Sequence, residues 1–162
     1  MQLVRSGAAG SAALELAVSH ALRTRVAAGE LPSTLRISRP APTVAFGKLD
    51  TLRPGYSAAV EAARAHGYEP VLRLPGGHAA AYHDHSLAID VLWPLDDPVV
   101  GTHTRFADEG ERLAGALRTL GVDARVGEVP GEYCPGAYSV NARGRVKLIG
   151  RARTVIEGVF RG

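Results

Sequence analysis

Three histidines and a pair of glycines fall within one short segment of this sequence. Gly76 and Gly77 are followed by His78, His83 and His85. Glycine lets the backbone approach a ligand closely, and exposed N–H groups in such a turn can hold a carbonyl or phosphate oxygen. A tight turn between two strands is the simpler interpretation of the glycine pair. Both interpretations stay open at this point.

The same histidines could bind a metal ion. His83 and His85 are predicted to share one face of a strand, because side chains alternate along a strand, and Asp84 lies between them. Zinc accepts imidazole and carboxylate ligands. Since no matching pair of ligands occurs elsewhere in the sequence, we predict no metal. We expect a histidine to orient a substrate or to move a proton instead.

Cys134 and Lys147 are the candidates for covalent chemistry. Cys134 is the single cysteine, in a loop rich in proline and glycine, and Lys147 lies in a short apolar strand. A lone cysteine is usually an inert small hydrophobic residue, and such a lysine often guards a sheet edge. An ammonium group near the thiol would favour the thiolate, which is the nucleophilic form. The other strand cations, Arg36, Arg39 and Arg73, are most simply explained by solubility.

The elements that must position these residues are short. Helical periodicity predicts three helices, over residues 14–26, 57–66 and 106–120. Strands are predicted over residues 35–38, 43–46, 71–73, 87–93, 122–126, 137–140, 145–149 and 154–160. Helices inserted among many short strands indicate an α+β sandwich rather than regular βαβ winding. We therefore predict an α+β fold with mixed and antiparallel sheets.

Composition limits the class of protein. A chain of 162 residues favours one domain of ordinary size. The net charge of +3 comes from scattered basic residues, so no nucleic-acid partner is implied. One cysteine allows no internal disulfide and fits a reducing compartment. Since we find neither a signal peptide nor an apolar stretch of about 18 residues, we predict a cytoplasmic protein with no membrane partner.

Several segments together resemble the lipoate-protein ligase A and octanoyltransferase family, which shares its fold with biotin protein ligases. In the family's order they are Arg39-Pro-Ala-Pro-Thr-Val-Ala-Phe-Gly47, Arg73-x-x-Gly-Gly-x-x-x-x-Tyr82-His83-Asp84, Glu132-Tyr-Cys-Pro-Gly-Ala-Tyr-Ser-Val140 and Gly144-Arg-Val-Lys-Leu-Ile-Gly150. The resemblance implies a class II biotin/lipoate ligase-like catalytic domain over residues 1–162. Family members usually continue further, so we expect the C-terminal part of that domain to be absent.

The resemblance also implies roles for single residues. Cys134 matches the nucleophile of the cysteine-dependent branch, and Lys147 matches the lysine that faces the reacting carbonyl or the acyl-adenylate phosphate. Gly76 and Gly77 would line the acyl slot, with His83 beside it. The full set of implied substrate-binding residues is Arg73, Gly76, Gly77, His78, Tyr82, His83, Gly136 and Gly150. Arg151 and Arg153 depart from the family's usual small-residue and Gln-Arg pattern, which weakens any inference about adenylate binding.

Three activities are compatible with this resemblance. The first is an acyltransferase without a cofactor, which moves an octanoyl or lipoyl group from acyl carrier protein to the lysine of a lipoyl domain or a glycine-cleavage H-type protein through a Cys134 thioester. The second is a lipoate-protein ligase that uses ATP and Mg²⁺ and forms lipoyl-AMP at Lys147. The third is an inactive family member that binds an acyl group.

Overall fold

The computed structural model describes residues 1–7, 10–94 and 100–152. The chain forms two compact units, one within Met1–Asp96 and the other within Asp97–Arg153. Helices and short three-stranded sheets build these units, so the predicted α+β class is confirmed. The single domain over residues 1–162 stays a prediction. The strand predicted over residues 154–160 lies outside the described residues.

The described residues of the first unit form two sheets and two α-helices. In chain order its elements are β1 (Gln2–Ser6), α1 (Ala12–Ala27), β2 (Thr34–Ser38), β3 (Thr43–Phe46), a 3₁₀ turn (Asp50–Leu52), α2 (Tyr56–Ala65), β4 (Glu69–Leu72), β5 (Ala80–Tyr82) and β6 (Ala88–Leu92). The strand orders are β1-β2-β6 and β4-β3-β5. In each sheet the central strand pairs parallel with one neighbour and antiparallel with the other.

Two polar side chains fix the start of α1. The Ser11 hydroxyl accepts a hydrogen bond from the Leu14 N–H at 3.2 Å, which is the usual N-cap arrangement. The Glu69 carboxylate, at the start of β4, accepts a bond from the Ala12 N–H at 2.8 Å. Negative charge at a helix N-terminus is favourable, so Glu69 ties α1 to the second sheet.

A buried ion-pair network joins α1 to the first sheet. Arg36 on β2 lies opposite Asp90 on β6, and its Nη1 donates to the Asp90 carboxylate at 3.1 Å. Its Nη2 donates to Glu15 of α1. The side chains of Arg36 and Glu15 are only 2% and 8% exposed. The expectation that Arg36 serves solubility is therefore wrong, because the arginine is buried between two carboxylates.

The second unit packs one helix on one antiparallel sheet. Its elements are α3 (Thr102–Thr119), β7 (Ala124–Val126), β8 (Val140–Ala142) and β9 (Val146–Ile149), with strand order β7-β8-β9. Ala114, Ala124 and Val140 form the buried core. Partly buried residues packed against it are Leu113, Leu117, Val122, Val126 and Ile149. The helix starts earlier than the predicted residue 106. The predicted hairpin is confirmed, but its first strand is Val140–Ala142 and not residues 137–140.

Other local predictions also differ from the structure. His83 and His85 lie in the turn between β5 and β6 and not on one face of a strand, so that prediction is wrong. The His83 N–H donates to the Ser86 hydroxyl at 3.0 Å, and the Ser86 N–H donates back to the His83 carbonyl at 2.8 Å, which closes the turn. Strands β1 and β5 were not predicted.

Candidate functional site

The glycine pair lies in a closed loop between β4 and β5. Arg73 Nη2 donates to the carbonyl oxygen of His78 at 2.7 Å, which holds the two ends of the loop together. Gly77 has φ +91°, a conformation that residues with a side chain rarely adopt. Gly76 has no atom within 4 Å of the position of a Cβ. The loop therefore requires glycine at position 77 but not at position 76.

The turn after β3 supports this loop. Asp50 Oδ2 accepts a hydrogen bond from the Gly47 N–H at 2.8 Å, and Asp50 Oδ1 lies 3.9 Å from His78 Nδ1. A Cβ on Gly47 would fall 2.4 Å from the carbonyl oxygen of Gly77. Two segments that carry the family resemblance are thus in direct backbone contact.

His83 is exposed, and its turn fixes the ring tautomer. Its Nδ1 accepts a hydrogen bond from the His85 N–H at 3.1 Å, so in the neutral ring the proton is on Nε2. The His83 and His85 rings meet edge to face at 5.9 Å. Among the described residues, no three His, Cys, Asp or Glu side chains are grouped so that they could hold a metal ion.

A cavity of about 160 Å³ lies in the first unit, between α1 and the strands of both sheets. Much of its wall is apolar, with side chains from Leu16, Ala45, Val71, Leu72, Leu74 and Pro75. Arg73 and Tyr82, two residues singled out from the sequence, also line it. The beginning of the glycine loop therefore forms part of this cavity.

One part of the cavity wall is polar. Arg23 Nε, Arg36 Nε, Ser38 Oγ and Arg73 Nε are buried there without a hydrogen-bond partner among the described residues. Burial lowers the pKa of Arg23 below its ordinary value, and the Asp90 carboxylate acts in the opposite direction. Unpaired buried donors are unfavourable, so these groups are available to a ligand or to ordered water.

Cys134 lies half-buried in the loop between β7 and β8. Its φ is +55°, in the left-handed region, although it is not a glycine. Lys147 on β9 donates from Nζ to the Cys134 carbonyl oxygen at 2.6 Å and to the Tyr133 carbonyl oxygen at 3.4 Å. The candidate nucleophile and the candidate cation thus belong to one small arrangement in the second unit. Their catalytic roles remain predictions.

Glycines flank this arrangement on two sides. A Cβ at Gly136 would lie 3.3 Å from Ser139 Oγ, and one at Gly150 would lie 3.5 Å from Lys147 Cε. The Gly136 N–H donates to Glu132 Oε1 at 2.9 Å. Sequence reasoning did not single out Glu132, since nothing in its residue type distinguishes it from a solvated loop charge. Only its place two residues before Cys134 could have drawn attention to it.

Arg151 is bound to its own unit. It forms an ion pair with Glu109 of α3 and donates to the Phe106 carbonyl, while its guanidinium lies 4.8 Å from the centre of the Phe106 ring. Burial raises the pKa of Glu109, and Arg151 partly opposes that rise. Burial likewise lowers the pKa of Arg151, which Glu109 opposes. Arg151 therefore joins the end of β9 to α3, and Arg153 lies outside the described residues.

Within the described part of the chain, no helix has the length and apolar character needed to cross a membrane.

The family model described as the lipoyl protein ligase A/B catalytic domain matches residues 11–160. An octanoyl-[GcvH]:protein N-octanoyltransferase from Geobacillus kaustophilus is 29% identical, over 88% of this chain and 50% of its own length. Octanoyltransferase LipM from Kyrpidia tusciae is 33% identical, over 93% of this chain and 60% of its own length.

Solved structures agree on the fold. Lipoate-protein ligase A bound with ATP superposes with a TM-score of 0.75 at 23% identity, over 97% of this chain and 62% of the other. A bi-partite lipoate protein ligase from Thermoplasma acidophilum superposes with a TM-score of 0.69 at 24% identity, over 97% of this chain and 57% of the other. At this level of identity the likeness concerns the fold alone. The chain spans about half to three fifths of the length of the curated relatives described above.

Proposed function

This chain belongs to the lipoyl protein ligase A/B catalytic domain family, and from that premise we propose that it transfers an octanoyl or lipoyl group to the lysine of a lipoyl-carrier protein. The relatives from Geobacillus and Kyrpidia are named as octanoyltransferases, which favours transfer over ATP-dependent ligation. The observation that carries the proposal is the hydrogen bond from Lys147 to the Cys134 carbonyl at 2.6 Å. It brings a cation to the one residue able to form an acyl-thioester.

In the proposed reaction the Cys134 thiolate attacks the carbonyl carbon of an acyl thioester on a carrier protein. The carrier's carbon–sulfur bond breaks, its thiolate leaves and takes up the proton that Cys134 gave up, and the acyl group remains on Cys134. The amine of the acceptor lysine then attacks this thioester, an amide forms, and the Cys134 sulfur leaves and takes the amine's proton. Two easier steps thus replace one difficult step. No cofactor is needed; ATP and Mg²⁺ would belong only to the ligase reaction.

Lys147 would stabilise the oxyanion of each tetrahedral intermediate. Its bond to the Cys134 carbonyl engages one N–H, whereas its contacts with the Tyr133 carbonyl and with Glu132 are longer, at 3.4 and 3.6 Å. The remaining N–H groups can turn toward the developing charge. Removing one such donor raises the activation free energy by about 3–4 kcal/mol in well-studied enzymes.

The cavity of the first unit is our candidate for the acyl chain. Its apolar wall suits an alkyl chain, and Arg73 and Tyr82 link it to the glycine loop. For the donor we propose acyl carrier protein, and for the acceptor a lipoyl domain or an H-type protein of the glycine-cleavage system. The Thermoplasma ligase was studied with its E2 lipoyl domain, which supports an acceptor of this kind.

An intact-mass experiment tests the proposal. The protein is incubated with octanoyl carrier protein in the absence of ATP, and its mass is measured before and after treatment with hydroxylamine, which cleaves thioesters. We expect one octanoyl adduct, sensitive to hydroxylamine and absent from Cys134→Ala. Because the chain has one cysteine, the adduct needs no further mapping. Absence of an adduct at any concentration, or ATP-dependent transfer of free lipoate that survives Cys134→Ala, would overturn the proposal.

A further inference from the structure

A buried carboxylate lies beside Cys134 and has no part in the reaction as proposed above. The side chain of Glu132 is only 2% exposed. Its Oε1 accepts the Gly136 N–H at 2.9 Å. Its Oε2 has no hydrogen-bond partner in the described part of the chain, but it lies 3.6 Å from Lys147 Nζ. Because an isolated buried carboxylate is strongly unfavourable, Lys147 is the counter-charge that Glu132 requires.

The contacts of Glu132 enclose Cys134 on both sides. One reaches Gly136, two residues after the cysteine, and the other reaches the lysine that binds the Cys134 carbonyl. Closing residues 132–136 in this way constrains the peptide units before and after Cys134. A left-handed conformation at a residue with a side chain persists only where its surroundings enforce it. Glu132 and Lys147 supply that enforcement at Cys134, whose φ is +55°.

We propose that Glu132 is a positioning residue for acyl transfer, which acts by holding the Lys147 ammonium against the Cys134 carbonyl and by closing the loop around the nucleophile. The inference rests on the proposed function, since it assigns a role within that reaction. This role requires no contact between Glu132 and the acyl group. Its charge fixes the direction of the ammonium, and its Oε1 fixes the backbone that presents the cysteine sulfur.

The two contributions of Glu132 can be separated by substitution. Glu132→Gln keeps an acceptor for the Gly136 N–H and removes the charge that faces Lys147. Glu132→Ala removes both. We expect kcat for octanoyl transfer to fall about tenfold to hundredfold in Glu132→Gln, as when other orienting partners are removed, with KM nearly unchanged. Glu132→Ala should lose more. Glu128→Gln is the matched control, since Glu128 is an exposed glutamate of the same loop.

A double-substitution cycle distinguishes positioning from a merely structural role. If Glu132 acts through Lys147, Glu132→Gln should lower kcat in the wild-type background and leave it unchanged in a Lys147→Met background. The double variant also leaves no buried charge unpaired. It therefore keeps the test possible if Glu132→Gln alone does not fold: recovery of the fold in the double variant then supports the coupling, and a kcat below that of Lys147→Met overturns it.

The outcomes separate the two proposals. A wild-type protein that forms no octanoyl adduct overturns the proposed function and this inference with it. An active wild type with an equally active Glu132→Gln overturns the inference alone, and so does a Glu132→Gln effect of equal size with and without Lys147. A fall in kcat that disappears in the Lys147→Met background, with Glu128→Gln unaffected, supports it.

Discussion

Gly47 and Gly77 approach each other so closely that no side chain fits between them. A Cβ at position 47 would lie 2.4 Å from the Gly77 carbonyl oxygen, and Gly77 itself has φ +91°. The turn after β3 and the glycine loop after β4 are therefore held as a pair. Gly47, which follows the end of β3, does not have a positive φ, so its own backbone conformation does not require glycine. The close approach to Gly77 does.

Replacing Gly47 by alanine should displace the glycine loop. Since the conflict is with backbone and not with a flexible side chain, we expect Gly47→Ala to lower the free energy of unfolding by about 1–3 kcal/mol. Urea unfolding followed by circular dichroism measures the change. Gly76→Ala is the control, because that position has open space, and its stability should lie within about 0.5 kcal/mol of wild type. Equal losses in the two variants would contradict this account.

The buried network of Arg36 predicts a large effect of a single substitution. Glu15→Ala would remove one of the two carboxylates that bind the Arg36 guanidinium, which is 2% exposed, and leave the Asp90 carboxylate. We expect a loss of about 3–5 kcal/mol in the free energy of unfolding, as is typical when one partner of a buried ion pair is removed. Chemical unfolding at neutral pH provides the measurement.

The exposed pair of Arg25 and Glu30 is the matched control for the buried pair. Their side chains are 55% and 57% exposed. Exposed pairs contribute only about 0.2–1 kcal/mol, so Glu30→Ala should be nearly silent. If Glu15→Ala proved as mild as Glu30→Ala, the network would be incidental to stability.

Local patterns predicted most of the elements. Residues 43–46 were predicted as a strand and form β3 with the same bounds, because β-branched and aromatic residues between turn-forming residues define a strand locally. The helix predicted over residues 14–26 corresponds to α1, Ala12–Ala27. Glycines end the helices as predicted, with Gly67 and Gly121 at positive φ. These features depend on interactions within a few residues.

What could not be predicted depends on contacts between distant residues. β1 is stabilised by its parallel pairing with β2, about thirty residues away. Arg36 is buried because Glu15 and Asp90 converge on it from two other elements. Glu132 matters only through the fold that brings Lys147 to its loop. The prediction that His83 and His85 share one face of a strand was wrong, because both residues lie in the turn between β5 and β6.

The proposed acyl cavity predicts a change in chain-length preference. Ala45 on β3 is 2% exposed and lines the cavity, so Ala45→Val should shorten the space for an acyl chain. We expect the ratio of kcat/KM for octanoyl over hexanoyl carrier protein to fall by about tenfold or more, because one methylene group in a tight pocket changes kcat/KM by at least that factor. Competition between the two donors measures the ratio directly.

Ala81→Val is the control for this change. Ala81 is exposed on β5 and does not line the cavity, and valine suits a strand. Its octanoyl preference should match that of the wild type. An unchanged preference in Ala45→Val, or the same change in Ala81→Val, would remove the cavity from the acyl-binding role.

The pair of Glu109 and Arg151 predicts how stability depends on pH. Burial is the larger influence and raises the pKa of Glu109 above its ordinary value in the unfolded chain. The folded state therefore binds more protons there than the unfolded state. The stabilising contribution is complete below the unfolded pKa, about 4.3, and is lost as pH rises through the folded pKa.

Glu109→Gln removes this titration, so its free energy of unfolding relative to wild type should become more favourable as pH rises from about 4 to about 7. In Arg151→Met the guanidinium that lowers the pKa of Glu109 is absent, so this pKa rises further. The free energy of unfolding of Arg151→Met should therefore fall more steeply with pH than that of the wild type. Urea unfolding of the three proteins at several pH values measures both slopes. If the free energy of unfolding of Glu109→Gln relative to wild type stays constant or decreases as pH rises, the ion pair with Arg151, and not burial, has the larger influence on the pKa of Glu109.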